Sequence, residues 1–426
     1  MKKLLLSLMF VGASGFAFAQ MNTSNVTATG VGNLTEVNQT GYNNASTVVQ
    51  DGDMDPLGGV ANEAYVTQVG EDNTATVGQF GNSNIAETDQ MGTFNSSTQV
   101  QGLGWAENNY AMVSQDGDFN VAVQGQLYDN NEAYIYQTGL ANVAEQYQSS
   151  LFDGMPGNFA YASQLGLFNA SFQLQAGSDN VASVYQGEIG NSATQLQAGE
   201  GNWATIYQND ISLGGFNTAL QIQEGMENVA VIDQGLFYSM NNIALQDQLG
   251  DRNYAYVIQE GEDNISVQTQ VGEDNYSSTN QIGLENLAVT DQLGAENIAT
   301  TTQWGDLNTS MIEQLGFGNE AYVAQLGDAN YSSVSQVFDL NYAEVFQSGL
   351  LNFSFVDQFG VANYAATTQD GIFNISSVEQ TGVLNFATTD QLGLLNYAET
   401  VQFGDLHMSN IVQTGIGNVS IVNQSN

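Results

Sequence analysis

The 426-residue chain carries 45 acidic and 3 basic residues, one histidine, two prolines and no cysteine, a formal charge of −42. So acidic a chain lacks the Lys and Arg that phosphate binding needs, which argues against nucleic acid or anionic lipid as a partner. The missing cysteines exclude disulfides, thiolate metal sites and cysteine nucleophiles, and one histidine cannot build a multi-histidine centre, so neither metal nor cofactor is expected.

In chain order, residues 1–19 are predicted to be a secretory signal peptide. Lys2 and Lys3 give a positive start, residues 4–10 an apolar stretch, and Ala17-Phe18-Ala19 a small-x-small cleavage site. The apolar run is too short for a spanning helix, and no later segment is long and apolar enough to be one. The chain is therefore expected outside the cell, with residues 20–426 forming one repeat domain and Arg252 its one cation.

From residue 22 a single unit recurs. Gln39, Gln50, Gln68, Gln79, Gln90, Gln101 and Gln115 open the series. Gln126, Gln137, Gln148, Gln164, Gln175, Gln186, Gln197, Gln208, Gln223 and Gln234 continue it. Five spacings exceed eleven, placing insertions near 51–61, 102–108, 149–157, 209–216 and 235–241. Pro56 and Pro156 fall in two of them. Proline cannot donate to a β ladder, so the insertions are predicted as loops and the unit as strand.

Beyond this the period is unbroken. Glutamine stands at Gln248, Gln259, Gln270, Gln281, Gln292, Gln303, Gln314, Gln325, Gln336, Gln347, Gln358, Gln369, Gln380, Gln391, Gln402, Gln413 and Gln424. Glycine follows two residues later at Gly250, Gly261, Gly272, Gly283, Gly294, Gly305, Gly316, Gly327, Gly349, Gly360, Gly371, Gly382, Gly393, Gly404 and Gly415, with Phe338 the exception. Asparagine follows five residues later at Asn253, Asn264, Asn275, Asn286, Asn297, Asn308, Asn319, Asn330, Asn341, Asn352, Asn363, Asn374, Asn385, Asn396 and Asn418, with His407 the exception. Ala or Ser comes seven residues after Gln, from Ala255 to Ser420, so the unit is Q-x-G-x-x-N-x-[AS]-x-x-x-Q.

An eleven-residue period also suits a right-handed helical supercoil. A glycine in every unit would cost such a helix about 1 kcal/mol each, and the cations for salt-bridged faces are missing. Parity decides the matter. Asn, Ala/Ser and Gln lie on one side of a period-two pattern, completed by Val257, Thr290, Ile312 or Val334. That is a strand of about seven residues, with x-G-x-x as a tight turn in which glycine supplies positive φ.

A second period is superposed. Gln-x-Gln closes the strands ending at Gln101, Gln126, Gln148, Gln175, Gln197, Gln223, Gln248 and Gln270, every second one. From Ala299 and Ser310 to Ser376 and Ala387, Ala and Ser alternate likewise. The predicted fold is an all-β solenoid of two short strands per 22-residue coil. About seventeen coils stack into parallel, in-register, cross-β-like sheets roughly 80 Å long. Stacked amides satisfy one another along the axis, where an unmet one would cost roughly 1–3 kcal/mol.

Strands beginning near Asn22 and ending at Gln424 are expected to present open edges, templates for another copy. The acidic pairs Glu71-Asp72, Glu262-Asp263 and Glu273-Asp274 fall on the rims, where charge delays lateral aggregation. Stacking should bring Asp274 near Glu296. Calcium along such a rim is the sharper reading, although the glycine-rich nonapeptide of calcium-binding β-rolls is absent. Tyr254, Ile265, Tyr276, Leu287, Ile298, Tyr331, Tyr342, Phe353 and Tyr364 form an outward apolar stripe suited to lateral packing or adhesion.

The unit Gln325-Leu326-Gly327-Asp328-Ala329-Asn330-Tyr331-Ser332, running on to Gln336, resembles the curlin repeat, and the resemblance covers about 22–426. It implies a subunit of curli-like extracellular amyloid fibres in bacterial biofilm. It also implies a head-to-tail homopolymer, a nucleator subunit and an outer-membrane export pore as partners. A non-polymerising extracellular adhesin on the same solenoid is the alternative. An enzyme is not expected, because no coil breaks pattern to build a cleft and His407 only replaces a ladder asparagine. An ice-binding solenoid would need a sustained outward threonine column, and Thr300-Thr301-Thr302 is only a patch.

Overall fold

Alternating burial sets the architecture. In strand Val121–Leu127, Ala122, Gln124 and Gln126 are buried while the residues between them are half-exposed. One such face cannot be covered by its own strand, so it closes on the inner face of a second strand and on its copies above and below. The computed structural model describes residues 21–51, 60–102, 106–150, 156–208, 214–235 and 238–426. The predicted signal peptide and Pro56 lie outside these residues. Pro156 is exposed and outside any strand, just ahead of Phe159–Leu167.

The described residues form 36 strands and no helix, arranged as two parallel sheets of eighteen strands. Successive strands alternate between the sheets: Thr23–Thr29 opens the first and Leu34–Tyr42 the second. The two-residue strand Ser239–Met240 continues the rung begun by Val229–Gln234, since both pair with Tyr254–Glu262. The predicted two-strand coil, its parallel register and its number of coils are therefore what the chain adopts.

Insertions lengthen a coil without shifting its register. Gln39 pairs with Gln68, Gln90 with Gln115, Gln137 with Gln164, Gln197 with Gln223 and Gln223 with Gln248. Slipping by one residue would turn every amide outward, so the buried face holds the register across each loop.

Strands are longer than the seven residues expected. Most run nine, as in Tyr276–Leu284 and Phe353–Val361, because pairing continues through the glycine. The glycines do hold positive φ, for instance +132° at Gly283, but as ladder residues and not at the turn. A Cβ on Gly283 would lie 2.0 Å from the Gly305 carbonyl oxygen of the next coil, so backbone conformation and contact both demand glycine. The corner itself falls two residues on, at a left-handed residue that is usually not glycine: Asp263 (+55°), Glu296 (+54°), Leu351 (+55°), Phe373 (+57°). Its N–H donates to a carbonyl of the previous coil, as from Leu307 to Leu284. That ladder bond holds bulky residues in a conformation they seldom adopt alone.

Candidate functional site

The predicted glutamines divide between the sheets and form two unbroken columns. In the first sheet each Nε2 donates to the Oε1 one rung on, from Gln50 to Gln79 (2.9 Å) and so on to Gln402 and Gln424 (2.8 Å). In the second the column runs from Gln39 to Gln68 (2.7 Å) and ends with Gln391 to Gln413 (2.8 Å). The same nitrogen also crosses the core: Gln281 donates to the Ile265 carbonyl of the opposite sheet at 2.9 Å. The amides therefore tie the sheets together as well as stacking along them, a role that residue spacing does not encode.

The other glutamine of each Gln-x-Gln makes a third column, confined to the first sheet. It starts with Gln99 to Gln124 (3.0 Å) and closes with Gln246 to Gln268 (3.0 Å). Threonines finish both ends, Thr88 donating to Gln99 and Gln268 donating to Thr279. Farther along, the same depth is filled by Ile312, Val334, Val356 and Val378, packed with Val323 and Val345.

The asparagines close the corners. Asn286 donates both its backbone N–H (3.1 Å) and its Nδ2 (3.0 Å) to the Asn264 side-chain oxygen, and Nδ2 also reaches the Gly305 carbonyl at 2.7 Å. His407 keeps only part of this. Its N–H bonds Asn385 at 3.0 Å, while its ring Nε2 lies 3.2 Å from the Phe403 carbonyl.

Acidic residues have two placements, and the expectation of a purely solubilising rim covers one of them. Aspartates three residues after Gln accept the N–H of the matching residue one rung before. Asp306 accepts from Leu284 (3.0 Å), Asp339 from Phe317 (3.1 Å) and Asp405 from Val383 (2.9 Å). The sequence holds the signal, an Asp at a fixed place beside the glycine, but the bond to the rung before emerges only from the fold. Asp274 and Glu296 do occupy the same corner position in successive coils, yet Asp274 has Arg252 one rung before it. The guanidinium bonds both Asp274 oxygens at 2.8 Å and Glu273 at 3.3 Å, holding the Asp274 carboxyl below its usual range. Among the described residues no three His, Asp or Glu side chains converge as a metal-ligand set.

The outward apolar stripe divides into two columns on opposite faces. Tyr254, Tyr276, Ile298, Tyr342 and Tyr364 lie on the second sheet, and Ile265, Leu287, Tyr331 and Phe353 on the first. Stacking repeats along the second: Tyr254 on Tyr276 at 5.3 Å, Tyr342 on Tyr364 at 4.9 Å, and Tyr364 on Phe386 at 4.8 Å. Burial, then the Glu344 charge, pushes the Tyr342 phenol up to about 12, and burial with Glu87 raises Tyr110 further. A shallow groove of about 400 Å³ crosses the same face, lined by Glu63, Tyr65, Glu87, Asp89 and Met112, with the Tyr65 hydroxyl donating to Glu63 at 2.8 Å.

Among the described residues the outermost strands pair on one side only, Thr23–Thr29 with Ala45–Asp51 and Val419–Ser425 with Tyr397–Phe403. The inward-facing Val422 and Gln424 of the last strand are half-buried, against complete burial of Thr400 and Gln402 one coil inward. Among the described residues, no helix is long and apolar enough to cross a membrane.

No curated protein matches this chain. Residues 58–81, 106–139 and 305–337 match the family described as the curlin associated repeat. The third stretch contains Thr309–Phe317, Glu320–Asp328 and Tyr331–Val337, and these strands share amide columns with coils far outside the matched segments. Three stretches of the chain are thus similar to the curlin associated repeat, and the same amide ladder runs through them and through the coils between them.

Proposed function

We propose that the chain is a secreted structural subunit that assembles end to end into curli-like extracellular amyloid fibres, for biofilm matrix and cell adhesion. The observation that carries this reading is that the glutamine columns run to Gln424 and Gln413 in the last described strands of the two sheets, and in the second sheet also start in its first strand at Gln39, while the outermost strands pair on one side only among the described residues. A parallel strand of another copy could continue both the backbone ladder and the amide column, as in cross-β stacks. In this reading residues 1–19 direct export, residues 20–426 form the solenoid, and a pore and a nucleator act before growth. The acidic rims keep subunits apart until then.

The aromatic columns favour a second reading, a non-polymerising adhesin whose outward tyrosines form the contact face. One experiment separates the two. Residues 20–426, diluted from denaturant, are followed by dye-binding kinetics, electron microscopy and fibre diffraction. Seeded growth and a meridional reflection near 4.7–4.8 Å are expected of the fibre subunit. A stable β-rich monomer indifferent to seeds would leave the adhesin.

A further inference from the structure

We propose that the in-register tyrosine stacks on the second sheet are sites of oxidative dityrosine cross-linking between adjacent coils, with Tyr342 and Tyr364 the foremost. Parallel register places these two phenols directly above one another, 4.9 Å apart and within 1° of parallel. Tyr254 and Tyr276 (5.3 Å, 5°) and Tyr185 and Tyr207 (5.0 Å, 11°) repeat the arrangement. All six rings stand on an outward face, Tyr207, Tyr254 and Tyr276 exposed and the other three partly so, within reach of a diffusible oxidant. Fixing two reactants face to face replaces a random encounter with an intramolecular step.

Tyr342 has in addition a proton acceptor. Its hydroxyl donates to Glu344 Oε2 at 3.3 Å. A phenol held well above its ordinary range stays protonated at neutral pH, so removing an electron also requires removing the proton, and Glu344 is placed to take it. The oxidant is hydrogen peroxide acting through a peroxidase. Each phenol gives up its hydroxyl proton and one electron, and the two phenoxyl radicals join through ring carbons ortho to oxygen. Those carbons release their hydrogens as protons while the oxygens regain theirs. Two tyrosines and one peroxide thus give one dityrosine and two waters. The product staples one coil to the next along the axis, whether or not the chain polymerises.

The test is to treat the full chain with peroxide and peroxidase, cleave it after acidic residues and map linked peptides by mass spectrometry. An equal mixture of heavy-nitrogen and ordinary chains distinguishes links within a chain from links between chains. Expected are same-isotope links 342–364, 254–276 and 185–207. Tyr364→Phe, which keeps the stacked ring, should abolish the first and retain the other two. Glu344→Gln should slow the first relative to 254–276. Tyr65 and Tyr397 donate to Glu63 and Glu399 but stack on no ring among the described residues, so they should stay unlinked. The proposal is overturned if Tyr65 and Tyr397 couple as readily as the stacks, or if folded and guanidinium-unfolded chains give the same links.

Discussion

Between Ser96 and Gln270 the middle layer of the first sheet is glutamine, hydrogen-bonded rung to rung; from Thr309–Phe317 onward it is isoleucine, valine or threonine. Both fillings occupy the same depth, opposite the same kind of residue, in coils of the same register. The two regions differ in how their parts depend on one another. An aliphatic side chain loses only its own contacts when it is trimmed. An amide in a column leaves a donor on one neighbour and an acceptor on the other, so its removal is felt at three rungs.

What the regions share should break hardest. Gly177→Ala in the glutamine region and Gly360→Ala in the aliphatic region both drive a Cβ to within 2 Å of the next coil's carbonyl, at φ of +121° and +143°. Each is expected to cost more than ~4 kcal/mol, the range of exceptional substitutions, and about equally in both regions. Denaturant unfolding of the soluble chain measures this. A much milder loss in either region would mean that its coils can separate at the corner.

The difference between the regions is sharpest at the middle layer. Gln195 accepts from Gln173 at 2.8 Å and donates to Gln221 at 2.9 Å. Gln195→Leu should therefore cost about 1–3 kcal/mol for each group left unmet. Ile312→Val, at the same depth among aliphatic neighbours, should cost about 0.5–1.5 kcal/mol. Replacing Gln195 and Gln221 together should cost less than the sum of the two, because the bond they share is lost only once. Additive costs would show that the third column is not a coupled unit.

The repeat, the strand parity and the two-strand coil were legible because burial alternates with period two and Gln-x-Gln marks every second strand. Gln281 shows where legibility stopped: its ladder partner follows from spacing, but its bond to Ile265 across the core depends on how far apart the sheets lie. Leu351 and Phe373 gave no corner signal either, since their left-handed backbone is imposed by the neighbouring coil and not by their own preference. The outward stripe read as one because a linear sequence interleaves two faces that the fold separates.

Titration should lower stability in alkali and act in both directions in acid. Eleven tyrosines are raised above the ordinary value of 10, Tyr342 to about 12. Above pH 10 the unfolded chain ionises first, so stability should fall as pH rises from 10 towards 12, tracked by far-ultraviolet dichroism. In acid, Asp247 is raised by burial and then by Glu224, so protonating it stabilises the fold. Asp274, lowered by Arg252, contributes stability that is lost as pH falls through its folded value. Across the whole surface, loss of carboxylate charge should speed assembly near the sequence pI of about 4.1, in dye-binding rates compared with neutral pH. Rates independent of pH and salt would remove the rims' proposed role.

The smallest expected effect is a gain. Ser332 and Ser354 in the first sheet are buried with hydroxyls that meet no partner, whereas Ser310 pairs with Thr301 at 3.2 Å and Ser376 with Thr367 at 3.3 Å. The difference follows from the residue across the core, Val323 and Val345 offering nothing where Thr301 and Thr367 offer a hydroxyl. Ser332→Ala should then raise the free energy of unfolding by up to ~1 kcal/mol, because an unmet polar group is removed without leaving a cavity. Ser310→Ala should lower it by a similar amount, since Thr301 would lose its partner. If both changes moved stability the same way, the hydroxyl pairing would not be what distinguishes these coils.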